Sequence, residues 1–102
     1  MKRLRFRFTK AKWNINALKD VLGSIAESFP ESEVLIFRSG RNMPILDINV
    51  YVDEEQVSDE KIKEAEKKIF SVLTDYNISH VVFRGIKIFE VSREGEEGGS
   101  EE

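Results

Sequence analysis

The chain has 102 residues, 40% hydrophobic and 34% charged, which suits one small domain with its own core and excludes two independent ones. Because it contains no cysteine, disulfide bonds, thiolate metal sites and cysteine nucleophiles are excluded. The formal net charge of −3 is unevenly placed, since residues 93–102 carry −4 and residues 1–92 carry +1, so the overall charge is a poor guide to what the folded part attracts.

The first predicted element is a strand over residues 2–9. Its residues alternate strictly, as in a strand with one buried face: Leu4, Phe6 and Phe8 lie on one side, and Arg3, Arg5 and Arg7 on the other. This alternation never becomes an unbroken apolar run, and no segment approaches the roughly 20 apolar residues of a membrane span. We therefore expect a cytoplasmic protein whose first strand carries a row of arginines.

A helix is predicted next, because apolar residues recur at intervals of three and four. Its stripe consists of Ile15, Leu18, Leu22, Ile25 and Phe29. Either Asn14 or Asn16 is suited to cap the start of this helix, and Pro30 ends it.

Two strands joined by a short turn follow. Residues 34–37 are apolar on both faces, residues 38–42 read Arg-Ser-Gly-Arg-Asn, and residues 45–52 alternate again. The short link with its glycine predicts a β-hairpin. In its second strand, one face carries Leu46, Ile48, Val50 and Val52, and the other carries Ile45, Asp47, Asn49 and Tyr51.

A second helix and a last extended segment complete the chain. Ser58 is predicted to cap the helix, and Val57 and Ile62 have the spacing of a hydrophobic staple. The apolar stripe of this helix is Ile62, Ala65, Ile69, Leu73 and Tyr76. Residues 78–91 are extended, and Arg84-Gly85 marks either a β-bulge, which we favour, or a hairpin turn. The Glu-rich residues 93–102 are expected to form a disordered acidic tail.

The order β-α-β-β-α-β predicts a single α+β domain over residues 1–92. Two β-α-β halves of similar length suggest a two-layer ferredoxin-like sandwich with strand order 4-1-3-2. Both helices would cover the apolar face of an antiparallel four-stranded sheet, and the arginine face would stay open.

This open face is the main candidate for a binding site. An apolar pair from the second strand would also lie on it, either Leu35 and Phe37 or else Val34 and Ile36. An uncovered apolar pair beside an unprotected sheet edge favours a protein partner or a second copy, although a solvated face with Arg–Asp pairs is the simpler explanation. The predicted binding residues are Arg3, Arg5, Arg7, Leu35, Phe37, Asp47, Tyr51 and Arg84.

RNA binding on the same face is the alternative. Open four-stranded sheets of this kind stack bases on aromatic side chains and hold phosphates with basic ones. Here the outward positions of the first strand are arginines, and Tyr51 is the aromatic available on the third strand. We therefore expect such binding to involve the RNA backbone more than its bases.

Other motifs have simpler explanations. Residues 38–42 suit an anion-binding nest, but a plain hairpin turn needs no ligand. His80 is the only histidine, so a transition-metal site is not expected and a surface or packing role is. We find no nucleophile with an evident base, and we expect a non-enzymatic chain without cofactor, metal or small-molecule substrate.

Three segments between residues 36 and 69 carry a resemblance. They are Ile36-Phe37-Arg38-Ser39-Gly40, the strand Leu46-Asp47-Ile48-Asn49-Val50-Tyr51-Val52-Asp53, and Ser58-Asp59-Glu60 at the start of a helix. Together they are similar to the cytoplasmic C-terminal domain of cation diffusion facilitator transporters. The resemblance implies a small α/β domain that dimerises and, in many members, binds zinc or related ions to regulate transport.

Two positions depart from that family. Asn49 stands where the family's strand histidine would be, and Lys63 falls near its helix histidine. Metal sensing therefore does not carry over residue by residue. We expect a small dimerisation or interaction module that associates through its open sheet face or an edge strand, and the resemblance implies a regulatory role.

Overall fold

The computed structural model describes residues 1–42 and 44–91, and it has the predicted order of elements. Four strands and two α-helices follow one another as β1 (Lys2–Thr9), α1 (Ile15–Ser28), β2 (Glu33–Ser39), β3 (Ile45–Val52), α2 (Asp59–Asp75) and β4 (Val82–Glu90). A short 3-10 turn, Glu54–Gln56, precedes α2. The predicted acidic tail, residues 93–102, lies outside the described residues.

The sheet confirms the ferredoxin-like prediction. Its strands lie in the order β2-β3-β1-β4, which is the predicted 4-1-3-2 read from the other edge. All three pairings are antiparallel. The central strands are thus β3 and β1, and the two edges are β2 and β4.

The helices begin where the sequence predicts because their first residues are capped. Of the two asparagines, Asn14 is the cap of α1, and its Oδ1 accepts a hydrogen bond from the Ala17 amide at 2.9 Å. The Ser58 hydroxyl accepts from the Lys61 amide at 3.2 Å and caps α2. Each side chain satisfies an amide that has no partner inside its helix.

The core lies between one face of the sheet and both helices. The alternating apolar residues of β1 and β3 are fully buried there, as predicted. The stripe of α1 differs in part, because Ile15 is exposed at the first turn while Ala17 and Val21 are buried. Ala17 and Leu18 of the same first turn are buried, so Ile15 is exposed because it lies at the margin of the helix face that packs on the sheet.

Two strand boundaries differ from the prediction. β2 is longer than its apolar run, since Glu33 and Ser39 also pair with β3. β4 begins at Val82 rather than at residue 78. Residues 76–78 are used instead to end α2, where the amides of Asn77 and Ile78 donate to the Thr74 and Leu73 carbonyls.

The favoured β-bulge at Arg84-Gly85 is confirmed. The register of β4 against β1 shifts between the positions of Phe6 and Phe8, and β4 continues as one strand. Gly85 has φ of +99°, a conformation that residues with a Cβ rarely adopt. In the described ranges, 1–42 and 44–91, neither α-helix is long and apolar enough to span a bilayer.

Candidate binding surface on the open face of the sheet

The open face is defined by the register of the two central strands. Residues directly opposite each other in an antiparallel pair point to the same side of the sheet. β1 and β3 thus bring together the pairs Arg3–Tyr51, Arg5–Asn49 and Arg7–Asp47. The structure places these predicted site residues on one face, as the alternation of both strands requires.

The register of β2 decides which of its apolar pairs is outward. Leu35 lies opposite Asn49 and Phe37 lies opposite Asp47, so both belong to the open face. Ile36 lies opposite the buried Ile48 and belongs to the face that the helices cover. It is nevertheless exposed, because β2 is the edge strand farthest from the helix-covered centre.

Arg7 and Asp47 form a two-pronged ion pair across β1 and β3. Arg7 Nε donates to Asp47 Oδ1 and Arg7 Nη2 donates to Asp47 Oδ2, each at 2.7 Å. Parallel hydrogen bonds of this kind fix the geometry of both side chains. The pair neutralises one charge in the arginine row, so the face is less basic than its sequence alone suggests.

Three cations surround Phe89 on the β1–β4 half of this face. The guanidinium carbons of Arg3 and Arg5 lie 4.2 Å and 5.4 Å from the centre of the Phe89 ring, and Lys87 Nζ lies at 5.5 Å. These distances are in the range of cation–π attraction. We call Arg3, Arg5, Lys87 and Phe89 the cationic cluster.

Sequence reasoning missed Lys87 and Phe89. If residues of β4 alternated between the two faces without interruption, Lys87 and Phe89 would lie on the same helix-covered face as Phe83. The bulge adds one residue, which reverses the phase, so Lys87 and Phe89 lie opposite Arg5 and Arg3 on the open face. Gly85 indicated a bulge in the sequence. Which face Lys87 and Phe89 occupy after that bulge depends on how β4 pairs with β1.

Arg84, the site residue expected from β4, lies in the bulge. It is exposed and has no opposite residue in the register with β1, whereas Val82 lies opposite Thr9. At the end of the same strand, Lys2 and Glu90 form an ion pair. Their hydrogen bond raises the pKa of the Lys2 amine and lowers the pKa of the Glu90 carboxyl.

The centre of the open face is covered by its own side chains. Asn49 is buried although it points away from the core, because Arg5 and Leu35 flank it on the two neighbouring strands. Its Oδ1 has no hydrogen-bond partner in the described part of the chain. The accessible parts of the face are therefore its two sides, at β2 and at the cationic cluster.

The edge strand β2 carries an apolar patch with residues on both of its faces, which we call the β2 edge patch: Leu35, Ile36 and Phe37. Their side chains are 42%, 43% and 53% exposed, and they are consecutive on a strand with one unpaired edge. The β4 edge is different, because it contains a bulge and the charged residues Lys87 and Glu90. Bulges are a common device against edge-to-edge pairing, and β2 has none, although the charged Glu33 and Arg38 flank its apolar run.

The remaining candidates do not form a further site on this face. His80 is exposed, and its Nε2 donates to the Lys12 carbonyl oxygen. Lys63 is an exposed residue of α2, and no cluster of three or more His, Cys, Asp or Glu side chains suited to a metal occurs among residues 1–42 and 44–91. The resemblance to cation diffusion facilitators stays a prediction.

Comparison with known proteins supports the fold alone. No family model matches the chain, and no curated protein does. A solved structure described as "De novo designed protein Foldit4" is similar over 89% of this chain and 98% of its own, with a TM-score of 0.57. At 14% sequence identity, that likeness concerns the α+β architecture and implies no binding partner.

Proposed function

We propose that this protein is a non-enzymatic association module whose partner is a second copy, bound along β2. The observation that carries the proposal is the β2 edge patch, in which three consecutive apolar residues are exposed on an unpaired strand. A strand with free backbone amides and carbonyls binds another strand by continuing the sheet. The second copy would then cover the exposed apolar side chains on both faces of β2.

The sequence of β2 is suited to pairing with itself. Antiparallel pairing of two copies about a two-fold axis at Ile36 puts this residue opposite its own copy. Leu35 then lies opposite Phe37 of the second copy, and Arg38 lies opposite Val34. No like charges are opposed in this register, and the two sheets join into one of eight strands. A seven-residue contact is small, so we expect a dimer with roughly micromolar affinity.

The proposal predicts that Ile36→Lys converts dimers to monomers. Because Ile36 lies at the two-fold axis, one substitution brings two ammonium groups together, and it also removes apolar area from the interface. Sedimentation velocity over a range of protein concentrations measures the result.

Ile88→Lys is the matched control. Ile88 is 44% exposed on the β4 edge, against 43% for Ile36, and both residues belong to the helix-covered side of the sheet. We expect this variant to dimerise like the unchanged protein. A monomeric unchanged protein at every concentration would refute self-association, and equal loss in both variants would show that β2 is not the contact.

Single-stranded RNA is the second candidate ligand, and the cationic cluster favours it. Lys87 and Phe89 add a cation and an aromatic ring to the arginine row, which are the two features that hold single strands. The ring is already partly occupied by Arg3 at 4.2 Å, which leaves less of its face for a base. Backbone contacts would therefore dominate.

This candidate predicts that Arg3→Gln with Lys87→Gln abolishes retention on single-stranded RNA at low salt. Each lost phosphate contact should lower the slope of log affinity against log salt by about 0.7. Arg7→Gln is the control, because Arg7 is paired with Asp47 and should contribute little. If the unchanged protein does not bind an RNA pool at low salt, RNA is not its ligand.

A further inference from the structure

A shallow depression lies at the end of the sheet opposite to the chain's N-terminus. It has a volume of about 630 Å³ and is formed by the β1–α1 connection, the β2–β3 turn and the segment between α2 and β4. Its polar and aromatic lining includes Lys12, Trp13, Arg38, Arg41, Tyr76 and His80. None of these residues belongs to the β2 edge patch or to the cationic cluster.

The charge of this depression is one-sided. Lys12, Arg38 and Arg41 line it, and no aspartate or glutamate does. None of the three forms an ion pair with a carboxylate in the described ranges. In a chain with 19 acidic and 16 basic residues, three cations that line one depression without an ion pair are a local surplus that attracts anions.

The helix termini do not balance these cations. Asn14, the cap of α1, and Asn77, just beyond α2, both line the depression. The start of one helix and the end of the other contribute partial charges of roughly half a unit with opposite signs, which largely cancel. The side-chain cations therefore determine the local potential.

Hydrogen bonds hold the three segments together. The Ala11 amide donates to the Pro44 carbonyl at 3.0 Å, and His80 Nε2 donates to the Lys12 carbonyl. Gly40, with φ of +86°, lies in the turn between Arg38 and Arg41. Lys12 and Arg41 are thus carried by linked loops, and Arg38 by the end of β2.

Two aromatic residues complete the depression. Trp13 packs on Phe8 with ring centres 5.0 Å apart, and its indole N–H has no acceptor among the described residues. Tyr76 also lines the depression, and its hydroxyl donates to Asp20 Oδ2. Flat side chains beside several cations are the surroundings in which proteins hold a phosphate joined to a planar ring.

From this arrangement we propose that the depression is a binding site for a phosphate-bearing small molecule. Two arginines and a lysine match the geometry and the multiple charge of a phosphate better than those of a single carboxylate. Lys12 and Arg41 lie outside the proposed dimer contact, whereas Arg38 is the last but one residue of β2 and belongs to both. The variants that test the site therefore leave Arg38 unchanged.

Trp13 makes the test direct, since it is the only tryptophan in the chain. Its fluorescence should change saturably on titration with pyrophosphate, inorganic phosphate or adenosine monophosphate below about 10 mM. Tighter binding of adenosine monophosphate would show that the ring is also held, and equal binding with phosphate would show that the phosphate alone is recognised. Phosphorus NMR of the ligand gives a second readout of the same binding.

Lys12→Gln with Arg41→Gln should weaken the binding at least about tenfold, since two charged contacts are lost. Both side chains are exposed and neither lies on β2, so the fold and the dimer contact stay intact. The double variant Arg3→Gln with Lys87→Gln also removes two positive charges, but from the open face, and it should leave the affinity for the phosphate ligands unchanged. Absence of saturable binding in both readouts, or equal weakening in both double variants, would overturn the proposal.

Discussion

At the residue scale, a hydrogen bond from Tyr76 to Asp20 joins the end of α2 to α1. The hydroxyl donates to Asp20 Oδ2 at 2.9 Å. This bond, with burial and the nearby carboxylates of Asp20 and Asp75, favours the neutral phenol and raises the pKa of Tyr76. A raised pKa in the folded state means that the bond stabilises the fold below the ordinary tyrosine pKa of about 10 and is lost as pH rises through the folded value.

We therefore predict that Asp20→Asn lowers the pKa of Tyr76 towards its ordinary value. The absorbance of tyrosinate during alkaline titration measures the change. The chain has two tyrosines, so Tyr76→Phe identifies the remaining transition as that of Tyr51. The assignment fails if Asp20→Asn moves the transition that persists in Tyr76→Phe.

Single residues also show where sequence reasoning is accurate. Ser58 was expected as a cap, and Asn14 was one of two candidates beside Asn16, because a cap depends only on the amides two or three positions ahead. Ile15 has the right spacing for the buried stripe but is exposed, because burial depends on what lies across from it. Local hydrogen bonds follow from the sequence, whereas burial requires the partner surface.

At the element scale, the bulge in β4 places Lys87 and Phe89 on the open face. Gly85 makes this possible with φ of +99°, and a Cβ added there would meet no atom within 4 Å. Gly23, in the middle of α1, has equally open surroundings but helical backbone angles. Alanine would meet no steric clash at either glycine, so a difference in stability between the two alanine variants would come from the backbone conformation alone.

We predict opposite effects of alanine at these positions. Gly85→Ala should lower the free energy of unfolding by about 1–3 kcal/mol, because the backbone conformation is unfavourable for residues with a Cβ. Gly23→Ala should raise it by about 0.5–1 kcal/mol, because alanine loses less backbone entropy in a helix. Urea unfolding followed by circular dichroism measures both. A loss of stability in Gly23→Ala would contradict the account.

At the scale of the whole molecule, the two edges of the sheet are unequal. The β4 edge is interrupted by a bulge, and the β2 edge is regular with three consecutive exposed apolar residues, so association through β2 would leave only the bulged edges free. Binding between copies stabilises the folded state by mass action. The thermal midpoint should therefore rise with protein concentration in the unchanged protein and in Ile88→Lys, and stay constant in Ile36→Lys.

The sequence by itself determined the order of elements, the Ser58 cap of α2 and the separation of arginines from the core in β1. These features depend on periods of two and 3.6 residues and on contacts within one helical turn, so they can be predicted from short segments of sequence. Only the tertiary structure decided that Leu35 and Phe37, rather than Val34 and Ile36, share the arginine face. It also decided that Lys12 and His80, 68 positions apart, meet at one end of the sheet. The physical reason is that β2 is apolar on both sides, and loops converge only through the pairing of strands that are distant in the chain.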